Sequence, residues 1–332
     1  MPNYSGVWDL RQQGVANKGG LWQDPPLTGD IGIFGGGNDG LTGINSIDYV
    51  NIASAANSID FGDLVQDRIL DGAGFSSSTR GVFAGGDADG AVNVMQYITI
   101  KIKSNTTDFG DLSAARFKFA GFSSSTRGVV GGGHDANTNE VNIIEYVTIA
   151  STSNTSDFGD LTVGRQNNAA CGSPTRGIFG GGGPISGSAT LNTMDYVNIS
   201  SLGNATDFGN FDGATKELTA VSSGTRACFA GGDWGGESYI NIIKYVTIAS
   251  AANASDFGDL SASKIKPQGS SNGTTGIFAG GKTNVGGSYT PINVIDQIVI
   301  ASTGNVTDFG DLTSTREKGF QGQISTAHGG IS

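Results

Sequence analysis

Residues 154–161 read "NTSDFGDL", and the core of that phrase returns at Asp60–Leu64, Asp108–Leu112, Asp157–Leu161, Asp207–Phe211, Asp256–Leu260 and Asp308–Leu312. Successive starts lie 48, 49, 50, 49 and 52 residues apart. A steady period of this length marks propeller blades or solenoid turns and takes precedence over any single motif.

Every period holds the same parts in the same order. "GVVGGG" (128–133) is followed by "EVNIIEYVTIAS" (140–151), the polar turn "TSNTSD" (152–157) and then "FGDL". The equivalents "VNVMQYITI" (92–100), "INIIKYVTI" (240–248) and "INVIDQIVI" (292–300) are β-branched on both alternating faces, the pattern of a strand buried on two sides. Gly-Gly pairs, "SPTRG", "SGTRA" and Asn-Ala-Thr-Asp stretches mark turns, and no segment has helical spacing. Each unit therefore predicts a four-stranded antiparallel sheet. Burying about five large apolar side chains contributes roughly 10 kcal/mol, whereas ordering ~50 residues costs several times more. Such sheets must cover one another, as propeller blades do.

The chain ends sharpen the expectation. A unit's innermost strand looks like "FKFAGFSSSTR" (117–127), but the unit opening at "IGIFGGG" (31–37) is preceded only by "PPLTGD" (25–30). After the last phrase, "KGFQGQISTAHGG" (318–330) has no unit to follow it. The reading is an all-β, six-bladed propeller over 31–332, its blades opening near 31, 81, 128, 177, 227 and 276. Residues 315–326 supply the inner strand of blade one, leaving no open sheet edge. Residues 1–30 form an N-terminal arm outside the ring.

Composition narrows the function. Glycine takes 55 of 332 positions, well over the ~7% typical of proteins, but without the three-residue period of collagen. Nineteen basic against 30 acidic residues give a net charge of −11, which disfavours nucleic acid as a partner. Cys171 and Cys228 are the only cysteines, so no disulfide framework is expected. The opening "MPNYSGVWDLRQQG" lacks a signal-peptide pattern and no stretch approaches a membrane span, pointing to synthesis in a cytoplasm without membrane insertion.

Asp-Phe-Gly holds magnesium in protein kinases, but no copy here is accompanied by an ATP loop or a His-Arg-Asp catalytic loop. A scaffold role is expected instead: Phe wedges between blades, Gly permits close approach, and Asp satisfies turn amides. Arg80, Arg127, Arg176 and Arg226 are expected to pair with the Asp of the Asn-x-Thr/Ser-Asp turns. Arg68, Arg116, Arg165, Lys216, Lys264 and Arg316 recur after each phrase, and solvated positions around the channel mouth are expected for them. Arg116 and Arg165 are candidate anion or glycan contacts. Asn105, Asn154, Asn204, Asn253 and Asn305 match Asn-x-Ser/Thr and read as turn residues. Loops after the Gly-Gly pairs vary most, and Trp234 and Tyr239 in one of them are candidate ligand-stacking residues. No catalytic set, metal site or cofactor is expected; His134 and His328 are the only histidines and fall in different repeats. Trp8, Leu10, Leu21 and Trp22 in the arm have no repeat to bury them and are the candidate anchoring residues.

The "GVFAGG…NVMQYITI" layout resembles kelch-type propellers, though without their regular Trp and with the added "DFGDL" phrase. More closely, 31–332 resembles kelch-like repeat proteins of marine bacteriophage virions, which carry "TRGVFGGG", "YVTIAST" and "TDFGDL" in tandem. The resemblance implies a non-enzymatic virion component, a tail or capsid appendage or decoration present in multiple copies. Other virion proteins would be its partners through the arm, with a host-surface glycan as a further one. A free carbohydrate-binding propeller is the alternative.

Overall fold

The computed structural model describes residues 25–66, 70–137, 139–184 and 189–331. These residues are all-β, with no helix long and apolar enough to cross a membrane among them. Five four-stranded antiparallel sheets follow one another along the chain. In the third, the inner, second, third and outer strands are Ala120–Ser123, Arg127–Gly131, Ile143–Thr148 and Ser156–Asp160. The first sheet has only three strands of its own, Ile31–Gly35, Ser46–Asn51 and Ile59–Asp63. Its strand Ile31–Gly35 is nevertheless flanked: Ile33 N–H donates to Ile324 O (2.9 Å) and Thr326 N–H to Ile31 O (3.0 Å).

The repeated phrase makes each outer strand irregular. Across the third sheet Ile144 faces Gly159 while Glu145 faces Asp157, so Phe158 is the extra residue of a β-bulge. The bulge turns the ring off the sheet into the gap before the next one, and the other five sheets repeat the register shift. Apolar clusters fill these gaps. Phe158, Leu161 and Phe122 of the third sheet pack with Phe179, Val197 and Ile199 of the fourth. Phe309, Leu312 and Ile277 of the sixth likewise pack with Phe34, Val50 and Ile52 of the first.

Gly159 has φ +146° and lies against the next repeat's turn, where a Cβ would come 2.5 Å from Gly203 O. Its neighbour Asp160 gives its N–H to Asn204 Oδ1 (3.1 Å), and Ala205 N–H returns a bond to Asp160 O (2.7 Å). The Asn of each Asn-x-Ser/Thr turn is thus a clasp on the preceding sheet. Aspartate does not satisfy turn amides as expected: Asp157 is exposed, and its partner Asp160 bonds through its backbone.

The second-strand arginines also grip the following sheet, and through groups other than Asp. Arg176 lies 4.3 Å over the Tyr196 ring and donates to Ile248 O (2.9 Å); Arg226 lies 4.3 Å over Tyr245 and donates to Ile300 O (2.9 Å). A guanidinium stacked on tyrosine keeps a fork free for a carbonyl, which an aspartate pair would have occupied.

The space among the inner strands is filled rather than open. Residues 319–330 are almost wholly buried there. Ser325 Oγ donates to Ser271 O (2.7 Å), Ser271 Oγ to Ser222 O (2.8 Å), Ser76 Oγ to Ser325 O (2.9 Å) and Ser123 Oγ to Ser76 O (2.7 Å). Ser325 thereby takes the same place as the serines that end the inner strands of other sheets.

Candidate functional site on the upper face

The antiparallel order places the loops after the Gly-Gly pairs and the links between sheets at one end, called the upper face. The short turns lie at the other. Each link bridges the following Gly-Gly loop, as in the pairs Lys216–Asp233, Gln166–Gly183 and Asn38–Glu317.

Arg116 and Arg165, expected on this face as ligand contacts, are instead inside the scaffold. Arg165 is fully buried, with Nη2 2.7 Å from Asp195 Oδ2 and Nη1 2.9 Å from Thr193 O. Arg116 pairs with Glu145 and donates to Ile143 O (3.1 Å). Arg316 and Lys264 repeat the arrangement on Asp48 and Asp296, with Lys264 Nζ 2.8 Å from Asp296 Oδ2. Burial pushes the Arg116 and Arg165 guanidinium pKa values down, and the paired carboxylates oppose this. The reason for burial is the acid in the middle of these apolar third strands, which lies in the core and needs a counter-charge from the preceding link; the second sheet has the neutral Gln96 at that place. Lys216 is not the fifth member of this set. Thr215 holds that place, the third strand carries Lys244, and the charge pair is reversed as Lys244–Asp212. Arg68 lies outside the described residues, as do Trp8, Leu10, Leu21 and Trp22.

Two residues beyond that position, or three in the first link, the backbone turns left-handed: Asp71, Lys118, Asn167, Glu217, Lys266 and Lys318 have φ between 51° and 62°. Backbone bonds join them, from Lys118 N–H to Asp71 O (2.6 Å), Asn167 to Lys118 (2.7 Å), Glu217 to Asn167 (2.8 Å), Lys266 to Glu217 (2.7 Å) and Asp71 to Lys318 (2.7 Å). Lys266 Nζ meets both Asp71 carboxylate oxygens at 3.0 and 3.1 Å and Glu217 at 3.6 Å. Burial works against that ammonium, but the two carboxylates outweigh it and raise its pKa.

Beside this cluster the loops of the fifth and sixth sheets bring Tyr239 and Tyr289 together and leave Trp234 exposed. Trp234 is 45% and Tyr289 39% exposed. Tyr239 and Tyr289 rings lie 5.8 Å apart at 59°, and the Tyr289 hydroxyl donates to Glu237. Partial burial, then Glu217 and other nearby acids, push the Tyr239 phenol up to about 12. Trp234 does not join that pair: its indole lies beside Gly213 of the preceding link, where an added Cβ would come 3.2 Å from Nε1. Tyr289 was missed by sequence reasoning; its signal is the Gly286-Gly287 pair, whose φ values of 63° and 85° turn a hairpin between Lys282–Val285 and Ser288–Pro291.

Neither a protein-family model nor a curated protein sequence matches the chain. Among solved structures it is similar to one described as the structure of YjhT, at 12% identity and a TM-score of 0.64, over 76% of this chain and 87% of that one. The likeness is one of fold. It supports an all-β, propeller-like architecture.

Proposed function

We propose that the chain is a non-enzymatic bacteriophage virion component, a six-bladed propeller closed by its C-terminal strand, docked at one face and presenting a binding surface at the other. Closure is supported by the bonds of Ile324 and Thr326 to the first sheet and by the apolar cluster joining sixth sheet to first. The repeat phrases, which resemble those of phage virion kelch-like proteins, supply the particle.

One observation carries the two-sided arrangement. Residues 25–30 run against lower-face turns: Leu27 N–H donates to Lys101 O (2.8 Å), and Asp30 accepts from Asn272 Nδ2 (3.0 Å). The chain thus leaves the sheets on the face opposite the variable loops. An N-terminal segment bearing Trp8, Leu10, Leu21 and Trp22 is suited to hold the protein to other virion proteins with its loops turned outward. Deleting residues 1–26 should leave the repeats folded but absent from purified particles; normal incorporation of the truncated protein counts against the reading.

The exposed Trp234 and Tyr289 favour a second reading, a free carbohydrate-binding propeller, since tyrosine and tryptophan faces stack on sugar rings while carboxylates such as Glu237 accept hydroxyl bonds. Glycan-array binding that disappears in Trp234→Ala supports it, and a blank array removes it.

A further inference from the structure

We infer that the upper-face cluster binds a compact oxyanion, a carboxylate or phosphate group, between Lys118 and Lys318. The cations that sequence placed at this mouth are consumed by buried partners, as Arg165 is by Asp195. Two or three residues further along the links, three lysines and two acids converge instead. Both acids are committed to one cation, for Asp71 and Glu217 each face Lys266. Lys118 and Lys318 have no carboxylate within ion-pair distance among the described residues, and both are partly exposed. Counting Asp71, Glu217, Lys118, Lys266 and Lys318 together with the adjoining Glu317–Lys282 pair gives −3 + 4 = +1 in a chain whose total is −11.

The two lysines flank Asp71, bonded to its backbone from either side. Burial, followed by the charge of Lys266, lowers the Lys118 pKa; Asp71 and Glu217 act in the opposite sense, and Lys318 adds to the lowering. An ammonium short of water and crowded by like charge is stabilised by an arriving anion, because the anion replaces lost hydration. Beneath the lysines lies a small cavity lined by Gln321, Asn167, Asn168 and Leu218; the unpartnered Gln321 Oε1 and Asn168 Oδ1 are acceptors, suited to the hydrogens of a water and not to the anion, which is left to the lysines at the mouth. The cavity has room for roughly one water. A compact group resting at the mouth therefore fits, and a whole sugar or nucleotide base entering the shaft does not. Neutral sugars lack the charge that this surplus selects.

The test is calorimetric titration of the full chain with inorganic phosphate and, separately, glucuronate, at low and at physiological salt. Saturable binding that weakens with salt is expected for at least one, and the stronger of the two identifies the oxyanion source. The Lys118→Asn/Lys318→Asn pair removes both charges with a residue that tolerates left-handed backbone, and should weaken binding roughly tenfold or more. Lys118→Arg should retain it, which keeps the test informative should the double variant fail to fold. No saturable binding of either anion to the native protein, or equal affinity in a folded double variant, overturns the inference. Particle incorporation of the double variant should be normal, so failure here leaves the proposed virion role standing.

Discussion

The backbone amide of Asp311 donates to Asn57 Oδ1 at 3.1 Å, joining residues 254 apart in sequence with the same clasp that joins Asp160 to Asn204. Ser58 N–H returns a bond to Asp311 O at 2.7 Å, so the pair is reciprocal like the internal ones. Asn57→Ala should therefore cost the same as Asn204→Ala, about 1 kcal/mol in each case. Urea denaturation checks this. A near-zero cost for Asn57→Ala beside a full cost for Asn204→Ala would place the first and last sheets apart.

Arg165 lies buried against Asp195 and three backbone carbonyls. Arg165→Met should lose about 3–5 kcal/mol by leaving the carboxylate buried and uncompensated. Adding Asp195→Leu should recover most of that loss. Equal instability of the single and double variants in chemical denaturation would show that packing, rather than the unpaired charge, sets the cost.

At Gly159 a methyl group meets Gly203 O while the backbone is held at φ +146°. Gly159→Ala should lose more than about 1 kcal/mol through both effects. Gly236 has nothing within 4 Å of an added Cβ, and Gly236→Ala should cost less. Thermal melts of the two variants order them.

His328 is buried, accepts from Gly330 N–H at Nδ1 (3.1 Å) and places Nε2 3.1 Å from Ser76 O. Burial, opposed by the Ser76 contact, lowers its pKa from 6.5 to about 4. The folded imidazole thus stays neutral where the unfolded one takes a proton. Stability from this residue is present above pH 6.5 and is lost as the pH falls to about 4, by up to roughly 3 kcal/mol. His328→Gln should flatten that part of the stability–pH curve. An unchanged slope would assign it to other groups.

Sequence legibility followed the range of the interaction. Phe158 and Gly159 were readable because a bulged ring and a glycine pressed on a neighbour leave the same letters in every repeat. The partner of Arg176 was not, because a carbonyl such as Ile248 O has no letter of its own. Arg116 and Arg165 were misplaced for a different reason. The acids that bury them, Glu145 and Asp195, sit in strands whose apolar alternation hides one inward polar residue. Laying the repeats over one another shows Lys244 out of pattern but not its partner, because Asp212 lies three places before the aligned position, where Thr215 stands. The Lys118–Lys318 cluster escaped notice because a left-handed residue two places on cannot be foreseen when it is not glycine or asparagine.

Hydrogen exchange at Ile33 bears most directly on the central claim, since its amide is bonded outward only to Ile324 O. In a ring closed by its own C-terminal strand, this amide should exchange as slowly as Val129, which is interior to the third sheet. Truncation after residue 319 should release it. Exchange at the rate of an exposed sheet edge in the intact protein would contradict the closed six-bladed account.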